Sequence, residues 1–269
     1  MRVHIISDME GIAGIVNGSQ TNAGEPLFEE GRKLYTAEIN AAVRGARAGG
    51  ATEVVVMDHH GAGGGYSFNS LVPELLDPGC EYVVQEEWTE YSGFLEEGCD
   101  ACLLVGMHAM AGTPDGVLNH TVSGQSWQNL WFNGTLVGET GINAAFCGAY
   151  GTPVALVTGD EASCREATSL LGEDVVTVSV KRGIGSRSAR LLPPVRAREL
   201  VEEGARRALQ DLGALRPYDP GRPCEIRVEY KVTTDPGKAA LKPGVELVDP
   251  RTVVSSADDW LTAWRQVFF

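Results

Sequence analysis

The sequence predicts an α/β protein with a mostly parallel central sheet flanked by helices and a smaller α+β portion at its C-terminal end. Short continuous apolar runs at residues 2–7, 52–57, 101–106 and 152–158 have the character of strands covered on both faces. Segments with helical spacing of apolar residues separate them. The runs also stop abruptly at residues that carry chemistry, as strands do where an open parallel sheet builds a site at its carboxyl edge.

The first run, Arg2-Val3-His4-Ile5-Ile6-Ser7, ends in Asp8-Met9-Glu10-Gly11. Residues i and i+2 of a strand share a face, so Asp8 and Glu10 are expected to project together. Two such carboxylates repel unless they are solvated, one holds a proton, or a cation lies between them. A loop through Asn17, Gly18, Asn22 and Gly24 leads to a helix containing Tyr35, Ile39, Ala42, Val43 and Ala46, closed by Gly49-Gly50. The run Thr52–Met57 follows and ends in Asp58-His59-His60-Gly61, so strand, helix and strand form a right-handed crossover with parallel strands. Gly61–Gly65 lacks the Lys-Ser/Thr of a phosphate-binding loop and reads as a flexible loop near the site.

A short strand is expected at Tyr82–Gln85, a helix over Trp88–Glu97, and a strand at Ala101–Gly106 that ends in Met107-His108-Ala109-Met110. A loop of small residues then reaches Asn119-His120-Thr121. Asn133-Gly134 between Leu130–Phe132 and Thr135–Val137 is a hairpin signal. Gly138-Glu139-Thr140-Gly141 leads into a small-residue helix beginning near Ile142. Next come the Thr152–Thr158 strand, a helix through Arg165 and Leu170, and a strand at Val175–Val180. A polar stretch from Lys181 to Arg190 precedes Pro193-Pro194 and an amphipathic helix over Val195–Leu212. Beyond Pro217, Pro220 and Pro223, strands at Glu225–Lys231 and Val245–Val248 and a helix through Trp260 and Trp264 form the smaller portion. The expected division is a catalytic, metal-binding unit over residues 1–192 and a unit over 193–269 that serves oligomerisation or pocket walls.

With 43% hydrophobic and 22% charged residues among 269, the composition is that of a soluble globular protein. A formal charge of −14 argues against nucleic acid and anionic membranes as partners, since both reward basic patches. No apolar run is long enough to span a bilayer and no leader-like segment opens the chain, so a cytoplasmic location is expected. The six scattered cysteines suit free thiols, and Cys99-x-x-Cys102 has no second pair to complete a zinc ribbon.

The five histidines are informative. His4 lies inside a strand and reads as structural, whereas His59, His60, His108 and His120 follow strand ends. Three strands end in Asp8-x-Glu10, Asp58-His59-His60 and Met107-His108, and Glu139 stands between glycines at a fourth boundary. Imidazole and carboxylate together are the donors of zinc and similar metals, and two ions need a carboxylate they can share. Asp8, Glu10, His60, His108 and Glu139 would serve two ions, with Asp8 the natural bridge. His120 remains available as acid, base or nucleophile.

Ser7-Asp8-Met9-Glu10-Gly11-Ile12, Asp58-x-His60, Gly106-x-His108-Ala109, a histidine about a dozen residues later and Gly138-Glu139-x-Gly141-x-Asn143 resemble, in that order, the DppA-type D-aminopeptidases, a zinc metallopeptidase family. Ser186-Arg187-Ser188-Ala189 is similar to a further family segment. The resemblance implies two zinc ions per subunit, with Asp8 bridging, Glu10 and His60 on one ion, and His108 and Glu139 on the other. It makes His120 the catalytic histidine, short peptides or amino-acid amides with D-residues the substrates, and a ring-like homo-oligomer the assembly. Asn119-His120-Thr121 departs from the family's Ser-His-Ser, His59 stands where a small polar residue is usual, and Asp115 lengthens the loop before His120. Other dinuclear amidohydrolases or phosphoesterases, and a non-catalytic metal- or peptide-binding protein, are the alternatives. A Ser-His-Asp hydrolase is disfavoured because no Gly-x-Ser-x-Gly elbow is present.

Overall fold

The computed structural model of the chain describes residues 1–86 and 89–269. Its main sheet is formed by β1 (Arg2–Ser7), β2 (Glu53–Asp58), β3 (Glu81–Val83), β4 (Ala101–Met107), β7 (Val154–Asp160), β8 (Val176–Gly185) and β9 (Ser188–Leu191). The order is β3-β2-β1-β4-β7-β8-β9, parallel throughout except for β9, which runs antiparallel to β8. The order reverses between β1 and β4, so the connections leave these two strands toward opposite sides and open a crevice at their carboxyl ends.

Both faces of this sheet are covered. Val3 and Ile5 of β1, Val56 of β2 and Val105 of β4 face the core made with α2 (Phe28–Ala48) and α6 (Pro194–Ala208). Ile6, Met57 and Leu104, one position out of step, face a second core. It contains α4 (Glu139–Ala149), α8 (Trp260–Phe268) and a five-stranded antiparallel sheet in the order β11-β12-β10-β5-β6. Those strands are β5 (Trp127–Phe132), β6 (Thr135–Val137), β10 (Cys224–Tyr230), β11 (Val245–Asp249) and β12 (Thr252–Ala257). The alternation follows from the strand period of two, and it explains why the main strands are apolar without a break. The remaining helices are α1 (Gly18–Thr21), α3 (Gly93–Glu96), α5 (Glu161–Leu171) and α7 (Thr234–Ala239).

The α/β class and the crossover are as expected, with local differences. Asn133-Gly134 makes the hairpin, but its strand β5 pairs with β10 of the C-terminal sheet, while α6 packs on the main-sheet side. The division expected at residue 192 therefore does not coincide with the division between sheets. Lys181 to Arg190 continues β8 and turns back into β9, where a polar loop was expected. The expected helix over 88–97 is helical only at Gly93–Glu96, and its first residue, Trp88, lies outside the described residues. All six cysteines are free. No helix among the described residues is long and apolar enough to cross a membrane.

Candidate metal centre

Backbone packing at the switch point brings the ligand-bearing ends of β1 and β4 together. Asp8 N–H donates to Val105 O and Gly11 N–H to Gly106 O, both at 2.8 Å. A Cβ on Gly11 would stand 2.1 Å from Met107 O, and one on Gly106, where φ is +79°, would stand 2.1 Å from Asp8 O. Glycine at both positions is what allows the two loops to touch. β1 ends at Ser7, so Asp8 and Glu10 meet through the following turn and not through strand alternation.

Five of the predicted residues converge. His60 Nδ1 lies 3.2 Å from Asp8 Oδ1 and 3.0 Å from Glu10 Oε2. His108 Nε2 lies 3.3 Å from both Asp8 Oδ2 and Glu139 Oε1. The two oxygens of Asp8 thus face different imidazoles. His120 stacks on His108 with ring centroids 4.1 Å apart, and its Nε2 is 3.7 Å from Glu139 Oε1. The triads Asp8–Glu10–His108 and His108–His120–Glu139 each gather one donor atom per residue within 4.8 Å. His4 is elsewhere: it is fully buried beside Phe94, and burial pushes it down to about 4, hence neutral.

Backbone carbonyls choose which imidazole nitrogen faces the cluster. Thr21 O takes His60 Nε2–H at 2.8 Å, Ala109 O takes His108 Nδ1–H at 2.9 Å, and Leu118 O takes His120 Nδ1–H at 3.0 Å. The opposite nitrogens, His60 Nδ1, His108 Nε2 and His120 Nε2, keep their lone pairs for the interior, the usual arrangement behind a metal-binding histidine.

The donor set fits zinc. Donors held at ~2.0–2.1 Å by a tetrahedral ion lie roughly 3.3 Å apart, and the separations on His60 and His108 are 3.0–3.3 Å. Buried Glu10 Oε2 and His108 Nε2 have no hydrogen-bond partner despite those neighbours, so they point at a common space more than at each other. Burial disfavours charge here, yet His108 and His60 hold Asp8 well below the usual carboxylate range, and His108 holds Glu139 down to about 2. Burial likewise opposes charge on the imidazoles, but Glu10 and Asp8 outweigh it at His60, and Glu139 and Asp8 at His108, so both sit well above the ordinary histidine range. Without metal, protons balance these carboxylates.

Several supporting residues brace the centre, and of these only Asp58, in the Asp58-x-His60 motif, belongs to a sequence pattern. Asp58 accepts from the His60 N–H at 3.0 Å, from Tyr35 Oη at 2.9 Å and from the Ser70 N–H, and so shapes the Gly61–Gly65 loop. Lys181, buried, donates all three of its N–H bonds to Glu10 O, Ile12 O and Ile15 O and so fixes the loop that carries Glu10. Asp160 accepts from the Val117 N–H at 2.6 Å and Glu166 from the Met110 N–H at 3.0 Å, bracing the loop from His108 to His120. Asp115 in that loop pairs with Arg165 at 2.6 Å near the surface.

The family model of the M55 peptidases, described as D-aminopeptidase, matches residues 1–269. The chain belongs to the M55 D-aminopeptidase family. A D-aminopeptidase of Bacillus subtilis (strain 168) is 32% identical over 270 residues, spanning 98% of this chain and 94% of that protein. A solved structure, the zinc-dependent D-aminopeptidase DppA of Bacillus subtilis, described as a self-compartmentalizing protease, superposes with a TM-score of 0.88 at 31% identity. It covers 99% of this chain and 95% of its own. A cavity adjoins the candidate centre. Its floor includes Glu10, His60, His120 and Glu139, and its apolar wall comes from Met57, Ile142, Phe146, Trp264 and Phe268. Two of those five, Trp264 and Phe268, come from the C-terminal helix, where the sequence carries no chemical signal.

Proposed function

We propose that this protein is a zinc-dependent aminopeptidase that holds two ions per chain and hydrolyses the first amide bond of short peptides or amino-acid amides, D-residues among them. Asp8 would be shared between the ions, Glu10 and His60 would complete one site, and His108 and Glu139 the other. The observation that carries this reading is the division of Asp8, one oxygen toward each histidine at 3.2 and 3.3 Å. A zinc pair supplies Lewis acidity for an amide carbonyl and acidifies water near neutral pH.

The chain's own residues do the rest. Leu118 O orients His120 so that Nε2 looks into the cavity, and His120 retains 22% side-chain exposure where His108 has 1%. A neutral His120 can accept a proton from the attacking water and return it to the leaving amine. In the balanced reaction the amide C–N bond breaks, a C–O bond to the water oxygen forms, and the water protons end on the released amine and in solvent. A phosphoester substrate would call for cations around the cluster. Lys181 is engaged by three carbonyls and Arg182 pairs with Glu161 at 3.4 Å, so neither is free for a phosphate, while Arg187 and Lys231 line the cleft beside the cluster and suit an anionic group of either substrate class.

Zinc-reconstituted protein assayed on paired D- and L-aminoacyl amides and dipeptides tests the reading. D-selective release of the amino-terminal residue supports it. Two bound ions with no turnover of either series would remove the peptidase assignment and leave the metal centre.

A further inference from the structure

Two unlike spaces share Glu10, His60 and His120 of the candidate metal centre. One is the cavity with the apolar wall, about 140 Å³ in volume; an apolar space of roughly 150 Å³ accepts a benzene ring. Glu90 also lines it. Glu90 Oε2 is held by Arg265 at 2.6 Å, while Oε1 is buried and has no hydrogen-bond partner among the described residues. A buried carboxylate oxygen with no partner, on a residue that lines a cavity, is an acceptor awaiting a donor. The other is a more open cleft lined by Ser123, Gln125, Arg187 and Lys231. Lys231 is anchored there through Nζ on Gly124 O at 2.6 Å.

A peptide has the matching polarity: an ammonium at one end, a carboxylate at the other and the scissile amide between. The acceptor is on the enclosed side and the cations are on the open side. The enclosed side suits the end at which the chain stops, and the open side suits a chain that continues.

We infer that the site is directional and selects peptides with a bulky apolar amino-terminal residue. That side chain lies against Phe146, Trp264 and Phe268 with the α-ammonium on Glu90, and the carboxyl end lies toward Arg187 and Lys231. The inference rests on the peptidase reading and adds its substrate class.

The test is kcat/KM of the zinc-loaded protein on Phe-Gly, Leu-Gly, Ala-Gly and Gly-Gly in both stereochemical series, and on phenylalaninamide, which lacks the carboxylate. Phe-Gly is expected to exceed Ala-Gly by on the order of 10- to 100-fold and to exceed phenylalaninamide by roughly 10-fold. F146A should narrow the first ratio, and E90Q should raise KM for every substrate with a free amine. R187Q, at an exposed position where folding is not at risk, should abolish the second ratio. Ala-Gly cleaved as well as Phe-Gly by the wild type, or a carboxylate preference untouched by R187Q, would overturn the inference while the peptidase reading stands. Turnover of no substrate would overturn both.

Discussion

Replacing Lys181 by methionine separates the stability of the fold from the integrity of the metal centre. The ammonium is buried and bonded to Glu10 O, Ile12 O and Ile15 O at 2.5, 2.8 and 2.6 Å. Methionine has similar volume but no donor. Ile12 O would keep the Ile15 N–H at 3.2 Å, so two carbonyls, those of Glu10 and Ile15, lose their partner. At about 1–3 kcal/mol for each orphaned buried acceptor the loss is about 2–6 kcal/mol. Against it stands relief of a buried charge: burial lowers Lys181 from 10.5 to about 8, equivalent to about 3 kcal/mol. The net change in global stability therefore lies between a gain of about 1 and a loss of about 3 kcal/mol, a fall in Tm of at most ~10 °C in a chain of this size. The effect on the centre has no such offset, because the freed carbonyl belongs to Glu10 itself. Zinc affinity should fall roughly 10- to 100-fold. Isothermal titration of metal-free protein with zinc, alongside urea denaturation, measures both. A K181M variant with unchanged zinc affinity and a loss above about 5 kcal/mol would show that Lys181 serves the fold and not the site.

The other perturbations address neighbouring links. H120A should retain its zinc and lose turnover by roughly 10²- to 10⁴-fold; loss of metal would make His120 a ligand and refute its role in proton transfer. Zinc binding should release about two protons, from His60 and His108, measurable by calorimetry in buffers of different ionisation enthalpy. The sign follows from the directions of shift. The imidazoles, raised above 6.5, contribute stability that is complete below that pH and is lost as pH rises through their folded values. Asp8 and Glu139, depressed from 3.8 and 4.5, contribute stability present above those values and lost in acid. Zinc affinity should therefore climb with pH above 6.5, and a pH-independent affinity would contradict proton displacement. G106A must place a Cβ 2.1 Å from Asp8 O at a φ of +79° and should cost about 3 kcal/mol or more, read as a fall in Tm. An unchanged Tm would mean that the β1–β4 contact is slack.

The main strands were legible in the sequence because each is covered on both faces and stops at a polar cluster, and those stops carried the candidate ligands with them. The pairing of the 127–132 strand with Cys224–Tyr230 was not legible, since nothing local encodes a partner nearly a hundred residues away. The β8–β9 hairpin was hidden by its edge position, where exposed polar side chains break the apolar run. Lys181, Asp160 and Glu166 were missed for a related reason. Their work is to bond the backbone of other loops, and only tertiary structure brings those loops to them.

Anomalous scattering at the zinc edge from a crystal of the zinc-loaded protein tests the central claim directly. Two peaks per chain are expected, one among Asp8, Glu10 and His60 and one among Asp8, His108 and Glu139. A single peak, or two peaks of which neither touches Asp8, would contradict it.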